Sequence, residues 1–281
     1  MKFGCHVSIA GKIYLAVDRA IIRGCETMQI FSGNPRGWRS PQALDDDICE
    51  FNFRRKKAGI VPLAIHMPYL ANLGSPDAKV HSKSVEAMLD SIERAKKLNA
   101  SYLVFHPGSH RGMGKRDGLV KVAKSLKTLL LRFDDSLKVL LENTAGSGYS
   151  LGSRFEEIAF IFKELNWDKK LGICFDTCHA LAAGYDVSTK DGLDDTLKEL
   201  DRELGMERLF LIHANDSLNP LNSRVDRHAD IGKGYIGIDG FRRIVNHPML
   251  KSLPCILETP HMSEEDDIRN LDLIRSLEEK N

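Results

Sequence analysis

The sequence predicts an α/β fold, a single-domain (β/α)8 or TIM barrel over residues 1–281. Three observations predict it. Apolar, strand-like runs alternate with stretches of helical spacing about eight times, with no linker between them. Six of those runs end in His, Asp or Glu, the residue types that bind metals. The endings recur at a nearly constant interval: 40 residues from His66 to His106, then 36 to Glu142, 34 to Asp176, 37 to His213 and 45 to Glu258. Each interval fits one strand, one helix and their loops. A barrel of this kind needs roughly 250 residues. A doubly wound open sheet is the rival, but its glycine-rich phosphate fingerprint is absent.

Taken in order, Lys2–Val7 is a first strand, and Ile13–Arg23 shows helical spacing at Ile13, Ala16, Val17, Ala20 and Ile21. Thr27–Ser32 is the second strand. Gly33–Ser40, with Pro35, Arg36, Trp38 and Arg39, must be a loop. Pro41 opens a helix to about Ala58, at a position where its missing N–H does no harm. The Arg54–Lys57 cluster reads as a solvated helix end, favourable against the helix dipole. Ile60–His66 is the third strand, followed by a loop holding Pro68, Tyr69, Leu70 and Asn72. Val85, Met88, Leu89, Ile92, Ala95 and Leu98 then share one face of a helix over Ala78–Leu98.

Ser101–His106 is the fourth strand, stopped by Pro107 and Gly108. Leu119, Val122, Leu126, Leu129 and Phe133 mark the next helix. Leu137–Glu142 is the fifth strand, and Phe155, Ile158, Ala159 and Phe162 mark the helix after it. Leu171–Asp176 is the sixth strand. A short helical piece carries His179 to Ala183, and Lys190–Leu204 is the main helix that follows. Arg208–His213 is the seventh strand. Ala214–Tyr235 is the longest irregular segment, and long loops in compact domains are commonly functional. A helix near Phe241–His247, an eighth strand at Pro254–Glu258 and a helix carrying Ile268, Leu271, Ile274 and Leu277 complete the chain.

Composition is that of an ordinary globular protein, 42% apolar and 28% charged. A net charge of +1 announces no polyanionic partner, and a pI near 7.7 counts against nucleic acid. The six cysteines form no CxxC pair, and five lie in or beside apolar runs, which points to reduced thiols and a cytoplasmic location. Cys178 could act as a soft ligand. There is no N-terminal apolar h-region and no run of 18 apolar residues, so no membrane association is expected.

In a barrel the carboxyl ends of all strands lie on one face. The six endings would therefore converge, although they span most of the sequence. Three imidazoles and three carboxylates suit zinc, manganese or iron better than calcium or magnesium. Six ligands are too many for one tetrahedral zinc and suit two metals sharing a carboxylate, an arrangement that can clamp a phosphate. Asp226 and His228, two apart in an extended loop, point to one side. With His179 they make a further set, so nine candidate ligands imply three metals. His81, His247 and His261 lack the strand-end setting and read as surface or capping residues. His6 ends the first strand and could line the mouth as a donor, and His110 sits among basic loop residues where an anion could reach it.

Three stretches carry a resemblance: Gly172-Ile-Cys-Phe-Asp-Thr-Cys-His179; His213-Ala-Asn-Asp-Ser with Arg224-Val-Asp-Arg-His228 and Ile231-Gly-Lys-Gly234; and His66-Met-Pro-Tyr-Leu-Ala-Asn-Leu73. In their order along the chain, 66–73, 172–179 and 213–234, they resemble the three signatures of bacterial endonuclease IV, a family that repairs abasic sites in DNA. No ligand position departs from the family's pattern. The resemblance implies a barrel with three zinc ions per chain, manganese being a substitute. His66, His106 and Glu142 would hold the first, with Glu142 bridging to the second, held by Asp176, His213 and Glu258. His179, Asp226 and His228 would hold the third. Glu142, Asp176 and Glu258 would serve catalysis, a metal-bound hydroxide attacking the phosphodiester 5′ of the abasic site to leave a 3′-hydroxyl and a 5′-deoxyribose phosphate. Trimming of blocked 3′ ends is implied as well.

The expected partner is double-stranded DNA, met by a monomer through Arg36, Tyr69, Leu70 and Arg227. An abasic site offers a gap that planar and apolar side chains fill cheaply. Arg36, Arg39, Arg111, Lys115, Arg116, Arg224, Arg227 and Lys233 fall after strands, where DNA would lie. Two alternatives stand beside this reading. A divalent-metal sugar isomerase or epimerase on the same barrel has no evident use for His179, Asp226 and His228. A metal-binding, DNA-bending protein would bind without cutting.

Overall fold

The computed structural model describes residues 1–34, 37–38, 44–132, 136–260 and 263–279. Eight parallel strands close into a barrel: β1 (Lys2–His6), β2 (Thr27–Phe31), β3 (Leu63–His66), β4 (Tyr102–Phe105), β5 (Lys138–Glu142), β6 (Leu171–Asp176), β7 (Leu209–His213) and, after a two-stranded excursion, β10 (Pro254–Leu257). Each pairs with its neighbours in chain order, and β10 closes the ring on β1 with Lys2 beside Pro254 and Cys5 beside Leu257. The excursion is an antiparallel ribbon of β8 (Asp216–Ser217) and β9 (His228–Ala229). The predicted barrel is borne out.

The helices on the outside are α1 (Leu15–Ile22), α2 (Asp45–Ala58), α3 (Ala78–Lys97), α4 (Lys115–Leu129), α5 (Phe155–Glu164), α6 (Thr177–Ala183), α7 (Lys190–Leu204), α8 (Gly237–Asn246) and α9 (Glu264–Ser276). Side-chain caps fix several starts by accepting otherwise orphaned N–H groups. Asp77 caps α3, Thr189 caps α7 and Ser263 caps α9. Gly59 ends α2 and Gly184 ends α6 in the left-handed region, where a side chain would be strained.

Most predicted bounds hold within one or two residues. The exceptions are α8, the third strand and α2. α8 starts at Gly237, ahead of the expected Phe241, and the third strand starts at Leu63 rather than Ile60, because Pro62 has no N–H to give to the ladder. The helix expected from Pro41 starts at Asp45 instead, because Leu44 before it is extended; Pro41 itself, Phe133 and His261 lie outside the described residues. The Arg54–Lys57 cluster is not wholly solvated. Arg55 is buried, and its guanidinium donates to the carbonyls of Ile60, Leu98 and Asn99. It satisfies backbone acceptors between α2, α3 and the following turns, which a helix-end cation does when its stem can be buried.

Most of the apolar residues pack between the barrel and the helices. A second, smaller cluster fills the barrel's interior: Ala64, Val104, Leu140, Cys174, Leu211 and Ile256. Tyr102 and Phe210 cover it from below. Because side chains alternate along a strand, the residue two further on points inward as well. Those residues are His66, His106, Glu142, Asp176, His213 and Glu258.

Candidate metal centre

The carboxyl ends of six strands bring the six predicted residues to one mouth. Glu142 is the hub. Its Oε2 lies 3.0 Å from His66 Nε2 and 3.2 Å from His106 Nε2. Its Oε1 lies 3.2 Å from both His179 Nδ1 and His213 Nδ1. His213 Nδ1 is also 3.3 Å from Glu258 Oε2 and 4.0 Å from Asp176 Oδ2. A third grouping is built on the loop after β7, where Asp226 lies 3.2 Å from His179 Nε2 and 3.3 Å from His228 Nε2.

Three sets of donor atoms fall within 4.8 Å of one another: His66, His106 and Glu142; Glu142, Asp176, His213 and Glu258; and His179, Asp226 and His228. Two more sets of that size draw in Cys174 or Cys178. Burial pushes both thiols up to about 12, which keeps them protonated and makes them poor ligands near neutral pH.

The long loop is held so that Asp226 and His228 reach this place. Asp216 accepts from the backbone N–H groups of Ser217, Gly234, Ile236 and Gly237, gathering the returning chain around one carboxylate. The ribbon of β8 and β9 then sets His228 beside Ser217. Asp176 does double duty. It ends β6 and caps α6, its Oδ1 accepting from the His179 N–H at 2.8 Å, which turns His179 into the mouth.

The imidazoles are oriented from behind. His66 Nδ1 is 2.7 Å from the Met67 carbonyl, His179 Nδ1 2.9 Å from that of Asn143, and His228 Nδ1 2.8 Å from that of Glu258. His213 Nε2 is 2.9 Å from Gln29 Oε1. Each acceptor takes a ring N–H and leaves the other nitrogen as a lone pair facing the cluster, the arrangement that metal-ligating histidines adopt. Glu142 Oε1, His213 Nδ1 and His228 Nε2 are buried with no hydrogen-bond partner. Donors on one tetrahedral zinc stand about 3.4 Å apart, close to the separations above. The residues therefore fit divalent cations.

The electrostatics agree. Glu142 and Asp176 are fully buried, where an uncompensated carboxylate is costly. Burial raises Glu142, but His106, His213 and His179 outweigh it and hold the group well below the usual carboxylate range. Burial likewise lowers His213 and His179, yet Cys174, Glu258 and Glu142 around the first, and Asp176 and Asp226 around the second, carry both well above the usual imidazole range. Asp176 goes the other way: its burial outweighs the histidines near it and raises it. The carboxylates thus draw protons onto the imidazoles, the positive charge that cations would replace.

Around the centre lies an open cleft lined by Tyr69, His106, His179, Asp226, Arg227, His228 and Glu258. Tyr69 is 61% and Leu70 40% exposed. Tyr69 stands edge-on to Phe31, with ring centroids 5.2 Å apart. Arg227 is exposed at the rim. Arg36 and Arg39 lie outside the described residues. Three other predicted loop cations are committed to the protein itself: Lys115 pairs with Glu157, Lys233 with Asp230, and Arg116 lies over Phe160. Lys115 and Arg116 also belong to the first turn of α4 rather than to a loop.

His6 does line the mouth, 3.4 Å from Glu258. His81 and His247 have structural partners in Ser125 and Asp194. His110 accepts from Gly114 N–H and packs on Tyr149.

Four supporting residues escaped the sequence reading: Gln29, Asn143, Asn215 and Asp216. Asn215 Nδ2 donates to Asp176 Oδ2 at 2.6 Å, and its Oδ1 accepts from Glu258 N–H at 2.7 Å. Asn143 clamps the Asp176 backbone. For Gln29, Asn143 and Asn215 the available signal was an amide inside or at the exit of an apolar run, since a buried amide must find partners.

A family model described as a xylose isomerase-like TIM barrel matches residues 17–277, which sets the class. Within that class, a protein of Halothermothrix orenii named "Probable endonuclease 4" is 42% identical over 276 residues, covering 98% of this chain and 99% of its own. The crystal structure of endonuclease IV from Thermus thermophilus superposes with a TM-score of 0.88 at 39% identity, covering 99% of this chain and 98% of that one. A D-tagatose 3-epimerase-like protein superposes with a TM-score of 0.74, covering 99% of this chain and 97% of that one. At 22% identity it speaks for the shared barrel alone. The chain belongs to the endonuclease IV family, as its three motifs led one to expect.

Proposed function

We propose that this protein is a zinc-dependent endonuclease of DNA repair, cutting the phosphodiester 5′ of abasic sites in duplex DNA and trimming blocked 3′ ends. The observation that carries it is the sharing of one buried carboxylate, Glu142, by two ligand sets, with a third set beside it through His179, 3.2 Å from Glu142, beneath an open cleft. His66, His106 and Glu142 would hold one zinc; Glu142, Asp176, His213 and Glu258 a second; His179, Asp226 and His228 a third. When bound, such cations supply Lewis acidity toward a phosphodiester and a nucleophilic water near neutral pH.

The chain's own residues do the rest. Carbonyls behind His66, His179 and His228 hold the imidazoles in one tautomer. Of the three central carboxylates, Glu142 and Asp176 are sealed, whereas Glu258 is 11% open to the mouth. That opening supports Glu258, rather than the other two, as the carboxylate that would orient an attacking water. Tyr69 and Leu70 would fill the gap left by the missing base, and Arg227 would meet the backbone phosphates together with Arg36. A sugar isomerase has no evident use for the third set, and family membership supports the nuclease over it. No helix among the described residues is long and apolar enough to cross a membrane, and the six thiols are unpaired, which supports action in the cytoplasm.

The test is a nicking assay on duplex DNA with one abasic site, using zinc-loaded protein without added magnesium. A single cut 5′ of the lesion with a 3′-hydroxyl end is expected. It should be abolished by stripping zinc and restored by returning it. A cut on the 3′ side, or none without magnesium, would defeat the reading.

A further inference from the structure

β2 gives the mouth no ligand of its own: Phe31 stands level with His66 in the ladder and is apolar. One turn of the pleat lower, Gln29 is fully buried. Its amide is nonetheless fully used. Nε2 donates to Glu258 Oε1 at 2.6 Å and lies 3.0 Å from His6 Nδ1, and Oε1 lies 2.9 Å from His213 Nε2.

The orientation of this amide is not arbitrary. A carboxylate only accepts, so the NH2 group must face Glu258 and the oxygen must face His213. The oxygen then takes the proton of His213 on Nε2. With a cation in place of the second proton, Nδ1 is the nitrogen left as a lone pair; it is buried without a hydrogen-bond partner, 3.2 Å from Glu142 Oε1 and 3.3 Å from Glu258 Oε2. The second amide hydrogen meets His6 Nδ1 and places the His6 proton on Nε2.

We propose that Gln29 is a positioning residue for the cation site of Glu142, Asp176, His213 and Glu258. One side chain sets the tautomer of one ligand and the rotation of another. The inference rests on the metal-centre reading above. Without the amide, His213 is free to carry its proton on Nδ1, where a cation would sit. Glu258 is then free to turn toward His6, which already lies 3.4 Å from it.

The test is Gln29→Leu in the full chain, loaded with zinc and titrated with a chelator of known zinc affinity. One zinc should leave the variant at about ten- to a hundredfold weaker affinity than in the wild type, the usual effect of losing such a partner. The zinc-stripped forms should match in far-UV circular dichroism, which shows that the variant folds. Zinc uptake with identical chelator curves overturns the role of Gln29 and leaves the metal centre standing; a wild type that takes up no zinc overturns both. A nitrogen NMR spectrum of histidine-labelled, zinc-loaded wild type decides the point without any variant. His213 protonated on Nε2 is expected, and His213 protonated on Nδ1 overturns the proposal.

Discussion

Two rings of side chains sit one above the other inside this barrel, and they differ in every physical respect except their strands. The lower ring is Ala64, Val104, Leu140, Cys174, Leu211 and Ile256. The upper ring is His66, His106, Glu142, Asp176, His213 and Glu258, each two residues further along the same strand. The lower ring is sealed and apolar and stabilises the barrel by removing hydrocarbon from water. The upper ring buries carboxylates that must be compensated, and orphaned donor atoms face one another across it. One pleat of backbone, about 7 Å long, separates the part that holds the barrel together from the part that does chemistry. Cost can be concentrated in the upper ring because the lower ring does not depend on it.

The sharpest way to break that comparison is to strike one strand at both levels. Glu142→Gln, in the upper ring, should lower cleavage of abasic DNA by more than about 100-fold, because two ligand sets share this carboxylate and even an outer partner is worth about ten- to a hundredfold. Steady-state nicking rates measure it. Leu140→Ala, in the lower ring, should cost about 2–5 kcal/mol of stability in a denaturant titration while zinc content per folded chain stays unchanged. Zinc lost in proportion would mean that the two rings are one unit.

A gentler probe is pH on zinc-stripped protein. Burial pulls His228 down, but Asp226 and Asp176 outweigh it and hold its imidazole at about 9 against an ordinary 6.5. A raised folded value contributes stability that is complete below the unfolded value and lost as pH rises through the folded one. The thermal midpoint of the stripped protein should therefore fall between about pH 6.5 and pH 9. Zinc affinity should rise over the same window, because ligands shed protons to bind. A stripped protein indifferent to pH there would mean that the upper ring stores no such charge.

The smallest effect belongs to the rim. Arg227→Ala should weaken DNA binding about equally for damaged and intact duplex and reduce the salt slope by about 1. Filter binding across a salt series measures both.

The strand ends were legible because a strand's last inward residue is set by local pattern, and six of them repeat at barrel spacing. The helix Lys190–Leu204 was legible for the same kind of reason: its apolar stripe and its Thr189 cap are contiguous in the chain. Arg55 was misjudged because its partners lie on Ile60, Leu98 and Asn99, and only the packing of α2 against α3 brings the last two near. Gln29 was invisible for a stronger version of that reason. It bonds His213 and Glu258, residues 184 and 229 positions away.

By itself the sequence determined which strands form, where they end and which donor types stand at their ends, because hydrophobic period and turn chemistry act over a few residues. Only the tertiary structure decided which donors face one another, which nitrogen each histidine offers, and which amide holds two of them still. Those choices are made when β10 closes on β1 and Gln29, near one end of the chain, meets Glu258 near the other.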